Sequence, residues 1–169
     1  MCGITGFVNL NNKIARKTIL KKMTDSLYHR GPDGEGHFLF ENFAIGHRRL
    51  SIIDLSRSSS QPMVTEDKNW IISYNGEIYN FKDIKKKLQK KGHNFFSSGD
   101  TEVVLKSFVE WGKGCLAELN GMFSFCIFNK KDKTLTLARD RFGIKPLYYL
   151  EKKNFFLFSS EIKSFKFHP

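Results

Sequence analysis

Hydrophobic and polar positions along this chain switch between two periods. Residues 3–8, Gly3-Ile4-Thr5-Gly6-Phe7-Val8, form a glycine-punctuated apolar run that reads as a buried strand. Over 14–28 the period becomes helical, with Ile19, Met23 and Leu27 spaced by four on one face. Arg30-Gly31-Pro32-Asp33-Gly34 breaks that helix with a turn. Stretches 37–40 and 43–47 read as paired strands, 56–61 as a polar loop, and 70–74 as a strand running into Asn75-Gly76. A second helix opens near Asn80, a suitable N-cap, and stops at Gly92. A third follows Ser98-Gly99-Asp100 and carries Val104, Leu105, Phe108 and Trp111. From Met122 onward strands return at 122–128, 134–138, 147–150 and 155–158, separated by turns at 130–133 and 151–154. A last helical pattern over 159–165 halts at His168-Pro169, an abrupt ending that predicts a domain cut from a longer protein. Helices and antiparallel strands without regular alternation, and without internal repeats, predict a layered α+β fold.

At 169 residues the chain suits one domain with a sizeable core, and 40% hydrophobic content with 17 Phe argues against disorder. No run approaches the roughly 20 apolar residues needed to span a bilayer, and no charged-then-apolar leader pattern opens the chain. Cys2, Cys115 and Cys126 have neither metal spacing nor a disulfide framework, which fits a reducing cytoplasm. The net charge of +11 invites a nucleic-acid or acidic-partner reading. Its lysines argue the other way. Lys82, Lys85, Lys86, Lys87, Lys90 and Lys91 interleave with Phe81, Ile84 and Leu88 as the wet side of an amphipathic helix. Others fall in the predicted turns.

Candidate chemistry begins at Cys2. If Met1 is trimmed, as a small second residue permits, one residue carries both a thiol of ordinary pKa about 8.5 and an α-amine of about 7.7–8.0. That amine can take the thiol proton without a histidine. The alternative is that Cys2 merely starts a strand as a small hydrophobe. Asn75-Gly76 reads first as a hairpin turn; it also offers a side-chain amide and a backbone N–H, the two donors of an oxyanion hole. Arg48 and Arg49 point to opposite sides of a strand, so one faces inward and needs a carboxylate, from the protein or from a ligand. Asp100 reads as a helix N-cap or as an acceptor for a ligand ammonium, and Glu77 as its partner or a surface charge. Arg30 and Asp33 read as structural. The five histidines show no metal spacing.

Taken in order, Met1-Cys2-Gly3-Ile4, Arg30-Gly31-Pro32-Asp33, Arg49-Leu50-Ser51-Ile52-Ile53-Asp54, Gln61-Pro62-Met63, Asn75-Gly76-Glu77-Ile78-Tyr79-Asn80 and Ser98-Gly99-Asp100-Thr101-Glu102 resemble the class II glutamine amidotransferase domain. Gly121-Met122-Phe123-Ser124-Phe125, residues 139–149 and Ser160-Glu161-Ile162-Lys163 extend the match over essentially the whole chain. It most resembles the domain of glutamine-hydrolysing asparagine synthetases; glucosamine-6-phosphate synthases and amidophosphoribosyltransferases differ after the Arg-Gly of the first turn and around the arginine segment.

The resemblance implies an N-terminal nucleophile hydrolase fold, a four-layer αββα sandwich with two stacked antiparallel sheets. It implies hydrolysis of L-glutamine to glutamate and ammonia, with Cys2 as nucleophile and Asn75 and Gly76 as oxyanion donors. By the same resemblance Arg49 grips the substrate α-carboxylate, Glu77 and Asp100 lie near its α-ammonium, and the backbone of Leu50, Ser51, Ile52 and Ile53 lines the pocket. Residues 1–169 would be the glutaminase domain, with no cofactor or metal of its own. A C-terminal synthetase domain of the same chain would use ATP and magnesium to amidate aspartate with the released ammonia. A homodimer stays open; no nucleic-acid or membrane partner is implied. The alternatives are an amidotransferase with a sugar or peptide acceptor, and a non-catalytic basic binding module.

Overall fold

The computed structural model describes residues 1–50 and 59–169. Ser51, Ile52 and Ile53, and residues 56–58 of the predicted polar loop, lie outside the described residues.

The described strands form two antiparallel sheets. The first contains β1 (Gly3–Asn9), β2 (Gly34–Phe40), β3 (Phe43–Arg49), β8 (Tyr148–Lys152) and β9 (Phe155–Ser159), in the order β2-β3-β1-β9-β8. The glycine-punctuated run at the start of the chain is thus its central strand, pairing Gly6 with Ile45 on one side and Phe158 on the other. The second sheet contains β4 (Met63–Val64), β5 (Trp70–Ile78), β6 (Gly121–Asn129) and β7 (Thr134–Arg139), in sequence order.

Strand alternation sorts side chains into three apolar layers. Ala44 of β3, Phe7 of β1 and Leu157 of β9 face α1 (Lys17–Asp25), where Leu20 and Met23 are fully buried. Ile72, Tyr74 and Ile78 of β5, with Phe123, Phe125 and Ile127 of β6, face α2 (Phe81–Lys90) and α3 (Asp100–Trp111). Between the sheets lie Phe43 and Ile45 of β3, Ile71 of β5, Cys126 and Phe128 of β6, and Phe158 of β9; the Phe43 and Phe128 rings stack at 4.1 Å. The result is helix, sheet, sheet, helix, the predicted αββα order. The short α4 (Cys115–Glu118) adds Cys115 to the α2/α3 layer.

One end of the inter-sheet layer is polar. Past Ile45 the same face of β3 carries His47; past Ile71 the same face of β5 carries Ser73 and Asn75; Ser124 of β6 pairs with Asn75. All four are buried. His47 Nε2 donates across the gap to the Tyr74 carbonyl at 3.1 Å, tying the two sheets together at this end. Burial lowers the His47 imidazole to about 4, so it stays neutral, with its proton on Nε2.

The structure refines several expectations. Helix α1 is shorter than 14–28, because Lys13 N–H goes to Asn11 Oδ1 and Ala15 N–H to the Glu41 carbonyl, leaving Ile14 79% exposed. The closing helical pattern forms a 3₁₀ helix, Ile162–Phe167. Asn80 precedes α2 but caps nothing with its side chain, which instead bonds Glu118 and Asn120. Asn75-Gly76 is not a hairpin turn. Both residues lie inside β5, whose ladder to β6 pairs Asn75 with Ser124 and Gly76 with Phe123. Glycine is needed at 76 for close approach, since a Cβ there would fall 2.5 Å from the Met122 carbonyl oxygen and 2.8 Å from Phe123 Cα. A local turn signal has been overridden by a long-range strand partner.

The lysines of α2 lie on its outer side, with Ile84 and Leu88 buried beneath. Lys87 and Lys91 are neutralised by Glu118 and Glu110, each at 2.7 Å.

The Phe158 ring packs directly on Gly6, where a Cβ would lie 2.3 Å from Phe158 Cζ and 2.5 Å from the Ala44 carbonyl oxygen. Gly6→Ala overpacks the central strand and is expected to cost about 1–3 kcal/mol of unfolding free energy. Urea denaturation reads this as a lower midpoint; an unchanged midpoint contradicts the packing.

Candidate active site

Cys2 enters the site as the residue just before the central strand. Its carbonyl accepts a hydrogen bond from Arg30 Nε at 3.0 Å, and Arg30 Nη1 pairs with Glu161 at 3.0 Å. The Arg30-Gly31-Pro32 turn thereby clamps the first residues of β1 to the segment after β9. Cys2 Sγ accepts the Leu50 N–H at 3.3 Å and lies 3.6 Å from the Leu50 carbonyl, to which the thiol donates. Burial pushes this thiol above its ordinary value; the Leu50 N–H and the charges of the chain terminus, Arg49 and Arg30 pull it only part of the way back. A thiol raised in this way needs a base.

The two adjacent arginines separate as strand alternation requires. Arg48 turns to the helix side, 8% exposed, where it meets Asp25 at 2.5 Å and Glu35 at 2.9 Å. Arg49, on the opposite face, lines a cleft of about 120 Å³ with Cys2 and Leu50. Asn75, Gly76, Glu77 and Asp100 line the same cleft. Every described residue that the sequence singled out for the site therefore comes together in one place.

Asn75 is 2% exposed, and its Nδ2 has no hydrogen-bond partner among the described residues. A buried donor left open beside a thiol is costly unless a ligand completes it. Asp100 does not cap its helix; Gly99 holds that position. Its Oδ2 accepts the Tyr74 hydroxyl at 2.6 Å and the Ile78 N–H at 2.9 Å, which locks the start of α3 to β5. Burial raises the Asp100 carboxyl, with Glu77 adding to the rise and these two bonds opposing it. Burial, then Asp100, push the Tyr74 phenol well above its usual value, so it remains a donor.

Gln61, Tyr74 and Lys145 also line the cleft, without having been assigned a role from sequence. Gln61 accepts the Tyr74 N–H at 2.6 Å and donates to Thr101 at 3.3 Å, holding β5 and α3 in register. Tyr74 orients Asp100. Lys145, 7% exposed, projects into the cleft from the segment between β7 and β8. Gln61 and Lys145 both stand in stretches that carry the family resemblance, which was the available signal. Among the described residues, no three His, Cys, Asp or Glu side chains gather to hold a metal ion, and no helix is long and apolar enough to cross a membrane.

A family model described as a glutamine amidotransferase domain matches residues 1–169. The chain belongs to this family. It is 43% identical over 177 residues to a glutamine-hydrolysing asparagine synthetase 3 of Bacillus subtilis, a match covering 100% of this chain and 28% of that protein. It is 39% identical over 149 residues to a glutamine-hydrolysing asparagine synthetase of Zea mays, covering 88% of this chain and 25% of that one. This amidotransferase domain thus spans about a quarter of the length of these relatives. Its fold matches that of a glutamine phosphoribosylpyrophosphate amidotransferase from B. subtilis with a TM-score of 0.81 over 98% of this chain and 43% of the other, at 22% identity. The shared architecture is the αββα sandwich of two antiparallel sheets between helical layers.

The Arg30 clamp in this amidotransferase domain has a pH signature. Burial alone would raise the Glu161 carboxyl, but hydrogen bonds from Arg30, His29 and Lys163 hold it down at about 2. A folded-state value below the unfolded value of about 4.3 gives stability that is complete above that pH and is lost as pH falls toward 2. Glu161→Gln is therefore expected to flatten the loss of stability between about pH 4.3 and 2, measured by urea denaturation across that range. An unchanged acid slope contradicts the clamp.

Proposed function

We propose that this domain hydrolyses the side-chain amide of L-glutamine, giving glutamate and ammonia, with Cys2 as nucleophile. The observation that carries this reading is the Cys2 thiol sharing one cleft with the open Asn75 amide, the Arg49 guanidinium and the Glu77 and Asp100 carboxylates. A zwitterionic amino-acid head needs one cationic fork and an acceptor for its ammonium. We assign Arg49 to the α-carboxylate, and Asp100 with the exposed Glu77 at the rim to the α-ammonium. The Leu50 backbone, continuing toward Ser51, Ile52 and Ile53, lines the same pocket.

In this mechanism Met1 is first removed, because its peptide bond makes the Cys2 nitrogen an amide without basicity. The freed α-amine takes the thiol proton. The thiolate attacks the substrate amide carbon, and the oxyanion forms between Asn75 Nδ2 and the Gly76 N–H. The protonated amine returns its proton to the departing nitrogen, which leaves as ammonia. Water then hydrolyses the thioester, releasing glutamate and restoring the thiol. Two aligned donors that exist before substrate arrives need no reorganisation at the moment of reaction.

The relatives' names and the share of their length this chain spans support a wider assignment. We place this domain ahead of a synthetase domain on the same chain that uses ATP and magnesium to amidate aspartate, in the cytoplasm. A sugar or peptide acceptor is the alternative, and the sequence following this domain decides between them.

The test is glutamate release from glutamine by the full-length gene product lacking Met1. Cys2→Ala should abolish it, and equal rates for the two proteins reject the reading. Asn75→Ala should lower turnover by about 10²–10³ with the cleft intact. Arg49→Met should act mainly by raising KM for glutamine, and an unchanged KM removes Arg49 from substrate recognition.

A further inference from the structure

Tyr74 and Asn75 are neighbours in β5, and strand alternation sends their side chains to opposite faces. Asn75 faces the gap between the sheets. The Tyr74 ring lies on the other face, in the apolar layer with Ile78, Val104 and Phe123. Its backbone is fixed from both sides, the N–H by Gln61 Oε1 at 2.6 Å and the carbonyl by His47 Nε2 at 3.1 Å. From that anchored position the buried phenol reaches the start of α3 and donates to Asp100 Oδ2 at 2.6 Å. That length is in the range of a hydroxyl donating to an ionised carboxylate. The Ile78 N–H donates to the same oxygen at 2.9 Å. Both ties therefore fall on Oδ2, and Asp100 lines the cleft with its other oxygen outside either bond.

We infer that Tyr74 is a positioning residue for recognition of the substrate α-ammonium, its hydroxyl holding Asp100 by Oδ2 so that Oδ1 is presented to the ammonium as part of an anion. This deepens the glutaminase reading and rests on it. A buried carboxyl tends toward its neutral acid, which attracts an ammonium far less than the anion does. Burial does raise Asp100, and Glu77 adds to the rise; the Tyr74 hydroxyl is the foremost of the hydrogen bonds that oppose it. The titratable and charged groups that share the cleft with Asp100 are Tyr74 and Glu77 from β5, Arg49 from β3, Cys2 ahead of β1, and Lys145 from the segment between β7 and β8. On α3 itself, Glu102 is engaged with Lys106 and Ser97. Tyr74 bonds the carboxylate directly, and a phenylalanine ring would fill the same apolar space without that bond.

The test uses the full-length, Met1-trimmed protein in a Cys2→Ala background, where binding is read by calorimetry without turnover. The probes are L-glutamine and glutaramate, the same molecule without its α-amine. Tyr74→Phe keeps the ring and removes the hydroxyl. It should weaken L-glutamine about tenfold, the loss of one hydrogen bond to a charged group, and leave glutaramate unchanged. The acid limb of glutamine binding should also move to higher pH, because a carboxyl that has lost a bond to its charged form takes up its proton sooner. In an Asp100→Asn protein, where the charge is already gone, Tyr74→Phe should add at most about a twofold change. Equal weakening of both probes, or the full effect on top of Asp100→Asn, overturns the inference, since a merely structural tyrosine would behave that way. Tyr74→Leu is a second hydroxyl-free variant, so that loss of folding in one leaves the other to decide. Glutamine binding that survives loss of the hydroxyl undiminished counts against Tyr74 alone. A parent protein that binds neither probe removes the glutaminase reading and this inference with it.

Discussion

Two sheets stacked face to face must fill the space between them, and in this protein that filling changes character along its length. At one end Phe43, Ile45, Ile71, Phe128 and Phe158 make an apolar layer. At the other, the same strand faces present His47, Ser73, Asn75 and Ser124. The period-two geometry of a strand makes this unavoidable: once β3 and β5 have set their apolar residues inward, their later inward positions must also face the gap. Placing polar groups there creates a site at the edge of the sandwich, and the His47 bond to Tyr74 holds the two sheets at a fixed separation beside it. Cys2, Arg49 and Asn75 line one cleft beside that tie.

The Cys2 thiol sits in a conflict of physical effects. Burial raises the Cys2 thiol, while the Leu50 N–H and nearby positive charges lower it by less. In the proposed reaction such a thiol needs a base within reach, and the residue's own nitrogen is the group closest by covalent geometry. The requirement that this nitrogen be free links chemistry to processing at Met1. Rigidity at this point comes from Arg30, which spends its guanidinium on the Cys2 carbonyl and on Glu161.

Glycine and glutamine do quieter work in the same region. Gly76 lets β5 and β6 approach where any side chain would strike Met122 and Phe123. Gln61 satisfies the Tyr74 N–H and reaches Thr101, while the Tyr74 hydroxyl satisfies Asp100. The strand with the open Asn75 amide and the helix with Asp100 are thereby fixed to one another. The Asn75 Nδ2 is left without a partner among the described residues.

Much of this was legible in the order of residues along the chain. The central strand, the helices with their wet lysine faces, the late run of antiparallel strands and the family likeness all follow from local periodicity and motif order, which are properties of the chain itself. The likeness also named Cys2, Arg49, Asn75, Gly76, Glu77 and Asp100. The roles of Asn75-Gly76 as strand rather than turn, of Asp100 as a tie to Tyr74 rather than a cap, and of Arg48 as the arginine that meets Asp25 and Glu35 were decided only by tertiary structure. Each depends on a partner distant in sequence: Ser124 and Phe123 for the first, Tyr74 and Ile78 for the second, Asp25 and Glu35 for the third. Local propensity is worth about a kilocalorie per mole per residue, and a strand ladder or a buried ion pair outweighs it. Which groups meet across a fold is set by that long-range competition, so the chain alone determined the elements and the chemistry, and packing determined which surface each element shows to the site.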